Sequence, residues 1–151
     1  GAQVVHLTGR GKDEPVRAAV EAAGLSDRWH VIDYLTTMED ALAVADLVVC
    51  RSGAGTVAEM EALGLPCIYV PLPIGNGEQR LNAADHVAAG GAQLIDDKDF
   101  TADFVRRNVF PLLGSTRLAD MAAASQSLGR AGAARALADL AFEQVKGAGH
   151  E

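Results

Sequence analysis

The chain has 151 residues, 49% of them hydrophobic and 5% aromatic, with a formal net charge of -7. That length suits one domain with a sizeable core, and the acidic balance argues against a nucleic-acid partner, whose phosphates need clustered Lys and Arg. No apolar run reaches the ~18 residues of a membrane span and no signal-peptide pattern occurs, so a cytoplasmic chain is the default expectation.

The first segment, "AQVVHLTG", reads as a buried strand running into a turn, although residue 1 is a glycine and no methionine precedes Met38. The expectation is therefore a piece of a longer chain. "QVVHL" (3–7) leads to a helix around Glu14 to Ala23, and "WHVIDY" (29–34) leads to one around Met38 to Ala45, with Thr36 or Thr37 as its N-cap. "DLVVC" (46–50) leads to a helix ending near Leu63, "PCIYVPL" (66–72) to one around Gln79 to Ala89, and "AQLID" (92–96) to one starting after Thr101. Near-continuous apolar strands alternating with helices predict an α/β fold, a doubly wound, Rossmann-like parallel sheet covered on both faces. Residues 115–145 predict a pair of terminal helices broken at "GRAG" (129–132), and "GAGHE" (147–151) predicts a flexible tail.

Cys50 and Cys67 each border an apolar run without a CxxC or His partner, and read as reduced core residues. His6 reads as a structural histidine, and His30, His86 and His150 have no recognisable partners in the sequence. No Ser/His/Asp set, Walker loop or metal-ligand spacing emerges, so no metal and no cofactor is expected.

In an open parallel sheet, ligands bind at the carboxyl ends of the strands, where loops enter helices. Two loops there have unusual chemistry. The first, "RSGAGTVAE" (51–59), combines small residues with a helix start, where free N–H groups and the helix dipole favour a pyrophosphate. Thr56 and Glu59 also spell a capping box, in which Thr56 caps the helix and Glu59 reaches back to its amide, with no ligand needed. With a nucleotide present, Glu59 suits a ribose diol rather than a phosphate. The second loop, "PLPIGNGEQRLNA" (71–83), opens a helix with Glu78, Gln79 and Asn82. These groups suit vicinal sugar hydroxyls. The reading the residues favour on their own is plainer, with Glu78 complementing a helix dipole and Gln79 facing solvent.

The run "ADLVVCRSGAGTVAEMEALGLPCIYVPLP", followed by "EQRLNA", resembles the C-terminal half of the MurG family of bacterial cell-wall N-acetylglucosaminyltransferases. The likeness runs from "HLTGRG" to the terminal helices and is densest between Tyr34 and Ala83. It implies residues 1–146 as the UDP-N-acetylglucosamine donor-binding domain of a two-domain GT-B enzyme. In that reading the uracil lies against Leu35, recognised through its backbone, with Tyr34 and Met38 as apolar wall. Ala54, Gly55 and Thr56 take the phosphate and sugar region, and Ser52 and Gly53 support them. Glu59 holds the ribose hydroxyls, Glu78 and Gln79 contact the N-acetylglucosamine ring, and Asn82 supports that segment.

The resemblance further implies an inverting, metal-independent transfer to the 4-hydroxyl of a lipid-linked muramyl-pentapeptide in peptidoglycan synthesis. The acceptor site, the general base, a membrane-contacting patch and a Gly-rich loop are all expected upstream of residue 1, and the full enzyme is expected at the cytoplasmic face of the membrane. No catalytic residue is expected in this stretch, and the fragment alone is expected to bind donor but not transfer sugar. Three positions depart from the family pattern: Glu78 stands where glutamine is familiar, Gly55 where a larger residue is often found, and Leu7 where a polar one is expected. Three other readings remain open: the donor-binding subunit of a two-subunit dolichol-pathway transferase, a natural-product or glycolipid transferase of the same fold, and a non-catalytic nucleotide-sugar-binding domain.

Overall fold

The computed structural model describes the backbone of residues 1–147 and the side chains through residue 145. It divides into two compact units, Gly1–Ala45 and the chain from Asp46 onward. In the first, β1 (Val4–Leu7), α1 (Glu14–Ala22), β2 (Trp29–Ile32) and α2 (Met38–Ala43) alternate, and the two strands pair in parallel from Val4 opposite Trp29 to Leu7 opposite Ile32. Thr37 occupies the N-cap of α2 as the sequence suggests, without a side-chain capping bond.

The second unit begins with β3 (Val48–Cys50), α3 (Ala54–Leu63) and β4 (Cys67–Tyr69). The chain continues through α4 (Glu78–Asn82), α5 (Ala84–Ala88), β5 (Ala92–Leu94), α6 (Ala102–Phe104) and α7 (Thr116–Gly147). Its sheet has the order β3-β4-β5, all parallel. The central strand β4 is shut away from solvent, which is why "CIY" carries no alternating polar positions. Ile68 packs into a cluster with Val109, Leu112, Leu118 and Met121. The strand and helix alternation in both units is the Rossmann-like α/β class that the sequence predicts.

Three expectations about helices change. The helix expected over 79–89 divides at Ala83, which is the C-cap of α4 and the N-cap of α5 and is fully buried. After Thr101, whose side chain accepts the Phe104 N–H at 3.2 Å, α6 widens within one turn into a π-helical segment, Val105–Val109.

The expected break at "GRAG" is absent, and α7 runs unbroken from Thr116 to Gly147. Gly129 has a different purpose: a Cβ there would collide with the carbonyl oxygen of Glu61 in α3. Gly64, in the left-handed region at φ 67°, lets the Leu65 N–H return to Met60 O at 3.0 Å. A Cβ on Gly64 would stand 2.8 Å from Gln126 Cγ. Small residues on α7 therefore serve close helix packing. Gly147 closes α7, so of the expected tail only 148–151 fall outside the described residues, with His150 among them.

Candidate functional site

At the carboxyl end of β3 the chain turns through Arg51 and the buried Ser52 into α3. Gly53 is the N-cap, in extended conformation, and the first turn closes with the Val57 N–H on Gly53 O at 3.0 Å. The capping box does not form. Ala54 and Gly55 have already adopted helical geometry, so Thr56 is the third helical residue and no side chain caps the helix. Glu59, one turn on, is exposed rather than folded back.

The N–H groups of Ala54, Gly55 and Thr56 therefore point out of the helix start without an intrahelical acceptor. Neither Gly53 nor Gly55 has a positive φ, and a Cβ on either would meet no protein atom within 4 Å. Neither packing nor backbone strain requires glycine at these positions. Their small size leaves the amides approachable.

Behind that opening lies a lock between two loops. Ser52 Oγ donates to Gln79 O at 2.7 Å, and Asn82 Nδ2 donates to Ser52 O at 3.1 Å. Gln79 Oε1 accepts the Leu72 N–H at 2.8 Å and the Ser52 N–H at 3.3 Å. Gln79 is therefore half-buried rather than solvated, and its Nε2 is the polar end left over. Glu78 starts α4 and is exposed.

Arg51 has a role that the sequence does not mark. Its Nη1 donates to the carbonyls of Val70 at 3.2 Å and Pro71 at 3.4 Å, and pairs with Asp97 at 2.5 Å, bracing the end of β4. Arg80 pairs likewise with Asp96. The acidic run after "AQLI" was the only sequence signal, and it did not reveal its partners.

Within the first unit, Leu35 is half-buried, and neither its N–H nor its C=O has a hydrogen-bond partner among the described residues. Tyr34 is 52% exposed and Met38 39%. One face of the Tyr34 ring is covered by Arg10, with the guanidinium carbon 3.9 Å from the ring centroid. His6 accepts the Trp29 indole N–H at 3.2 Å.

Two of the other histidines have partners that the sequence did not reveal. His30 meets Gln3 at 3.0 Å on the surface. His86 is fully buried, with Nδ1 2.8 Å from Tyr69 Oη and Nε2 2.8 Å from Ser125 Oγ. Burial lowers its pKa from the ordinary histidine value. The signal was non-local, because β4 and α7 supply the partners. Both cysteines are free thiols, Cys67 buried and Cys50 half-buried.

The model of the glycosyltransferase family 28 C-terminal domain matches residues 1–137. The chain belongs to this family. Among its relatives, the UDP-N-acetylglucosamine--N-acetylmuramyl-(pentapeptide) pyrophosphoryl-undecaprenol N-acetylglucosamine transferase of Paenarthrobacter aurescens is 45% identical, over 96% of this chain and 39% of that protein. The transferase of the same name from Mycolicibacterium smegmatis is 55% identical over 78% of this chain and 31% of its own length. Among solved structures, MurG of Acinetobacter baumannii superposes with a TM-score of 0.73 at 26% identity, over 83% of this chain and 36% of that one. The chain thus spans less than half the length of these relatives. Its fold is that of the C-terminal half of a GT-B glycosyltransferase. No described helix is long and apolar enough to cross a membrane.

Proposed function

We propose that the chain is the donor-binding part of an inverting glycosyltransferase that moves N-acetylglucosamine from UDP-N-acetylglucosamine to a lipid-linked muramyl-pentapeptide. The observation that carries this reading is the open start of α3, whose unpaired amides are joined through Ser52 to a segment presenting Glu78 and Gln79 Nε2. A diphosphate accepts from the amides of Ala54, Gly55 and Thr56, with the helix dipole adding to the attraction. Glu59, exposed on α3, accepts from the ribose diol. Glu78 accepts from a sugar hydroxyl and Gln79 Nε2 donates to one, while Ser52, Gly53 and Asn82 hold the geometry. In the first unit, the free N–H and C=O of Leu35 match the paired acceptor and donor of a uracil edge, with Tyr34 and Met38 beside it.

As the glycosidic bond to UDP breaks, negative charge grows on the diphosphate. Fixed amides aimed at it need no reorganisation, which is the basis of electrostatic catalysis. The acceptor hydroxyl and the base that takes its proton are assigned to the part of the enzyme beyond this chain, so the chain alone transfers no sugar.

The test is an NMR titration with UDP-N-acetylglucosamine, UDP and UDP-glucose. Saturable shifts at Thr56 and Gln79, tightest with the N-acetyl sugar and weakened by Glu59→Ala in a folded protein, are the expected result. Equal response to all three ligands, or none at millimolar concentration, would sink the donor assignment.

A further inference from the structure

The segment between β4 and β5 bears Glu78 and Gln79 but has little structure of its own. Its two helices have five residues each, Gly75 and Gly77 sit at φ 80° and 75°, and Ile74 and Leu81 stand largely in solvent. Something outside the segment must fix where it lies.

The Tyr69, His86 and Ser125 side chains form a fully buried chain of hydrogen bonds that joins the residue before the segment, its second helix and α7. Tyr69 is the last residue of β4, immediately before the segment, and His86 is within it, in α5, the helix that follows α4 after Ala83. Ser125 lies on α7, and its hydroxyl donates to Gly91 O at 3.1 Å. Ser125 Oγ then accepts from His86 Nε2–H, which leaves Nδ1 as the lone pair that accepts from the Tyr69 hydroxyl. Each proton meets an oxygen or nitrogen acceptor, and the imidazole is neutral. The neighbouring backbone is shaped to admit the ring, since a Cβ on Gly91 would stand 2.7 Å from His86 Cδ2.

An apolar trio would fill this volume without burying three polar groups. Polar groups in a core need partners in one particular geometry, so they discriminate between arrangements that apolar contacts would tolerate. We propose that His86 is a positioning residue for the sugar-binding segment: bonded to Tyr69 where the segment begins and to Ser125 of α7 behind it, it sets where Glu78 and Gln79 stand. The inference rests on the donor-site reading above. His86 touches no ligand, and it acts through α4 and the Gln79 bond to Leu72.

The test uses Tyr69→Phe, which removes one hydroxyl and keeps the ring, and reads two quantities. The first needs no ligand: hydrogen exchange at Leu72, whose N–H is held by Gln79 Oε1, against Met60 within α3 as the measure of global stability. Exchange at Leu72 is expected to rise by about tenfold while Met60 stays within about twofold. The second is the affinity for UDP-N-acetylglucosamine relative to UDP, expected to fall by about fivefold, the worth of one hydrogen bond, with UDP affinity itself unchanged.

Unchanged exchange at Leu72, or an equal rise at Met60, would overturn the proposal, because His86 would then only fill the core. Should Tyr69→Phe not fold, Ser125→Ala cuts the chain on its other side and reports through the same amides. Faster Leu72 exchange in a protein whose wild type prefers neither ligand would overturn the donor-site reading and leave the anchoring role supported.

Discussion

Gln79 and Leu72 are joined by a 2.8 Å hydrogen bond in which the glutamine side-chain oxygen accepts the leucine N–H. The same oxygen also takes the Ser52 N–H at 3.3 Å, so the side chain ties both loops of the candidate site together. Only its NH2 group is left to face a ligand. Gln79→Glu should separate the two roles. A carboxylate still accepts from both amides but donates nothing, so the melting temperature should hold while affinity for the N-acetyl sugar donor falls by about fivefold to tenfold, as for one lost hydrogen bond. Gln79→Ala loses both roles and should also destabilise by about 1–2 kcal/mol. Calorimetry on both variants, with and without ligand, checks the pair.

Gly53 and Gly55 invite the opposite experiment. A methyl group at either position meets no protein atom, and Gly55 lies within a helix, where Ala is favoured over Gly by up to about 1 kcal/mol. Gly55→Ala should therefore leave stability unchanged or raised, yet weaken UDP by crowding the amides. Unchanged UDP affinity in Gly55→Ala would show that the diphosphate does not approach there.

A third test concerns Gly129 and Gly132, three residues apart in α7. Gly129→Ala pushes a methyl group into the Glu61 carbonyl and should cost about 1–3 kcal/mol. Gly132→Ala meets nothing and should stabilise by a few tenths to about 1 kcal/mol. Urea unfolding of the two variants should move in opposite directions.

The buried imidazole gives stability a pH dependence of definite sign. Burial lowers the pKa of His86, whose two nitrogens are filled by the uncharged Tyr69 and Ser125, and among the described residues no charged group offsets the effect. The unfolded chain binds this proton near pH ~6.5, whereas the folded protein binds it only at lower pH. Between those values the unfolded state holds more protons. The neutral histidine's contribution is thus fully present above pH ~6.5 and is lost as pH falls toward the folded value. Glu61, raised by burial and by Asp85, acts with the opposite sign and is common to wild type and variant. Unfolding free energies from pH 8 to 5 should fall more steeply for wild type than for His86→Leu.

The alternation of strands and helices was legible because it is written in local periodicity, and so was the opening after β3, whose small residues are contiguous. Helix boundaries at Thr56 were less so. A Thr and a Glu in capping-box spacing do not reveal that Ala54 and Gly55 have already entered the helix. The GRAG glycines read locally as a break, yet Gly129 answers to Glu61, far away in the chain. His86, Arg51 and the inward-facing oxygen of Gln79 were illegible for the same reason: their partners come from other elements, and a single sequence records no pairing between them.

The tight crossing of α3 and α7 makes one end of α3 a fixed frame of reference. At Gly64 and Gly129 there is no room for even one methyl group, so the helix cannot slide along its axis without driving backbone into backbone. Its amino end, with the three free amides, is the far end of the same helix. On the other side, the segment around Gly75 and Gly77 is placed by the bonds that Gln79 accepts from Leu72 and Ser52 rather than by a helix crossing. In mechanical terms the helix is an anvil set by backbone contact, and the segment beside it is held in place by a few directional bonds.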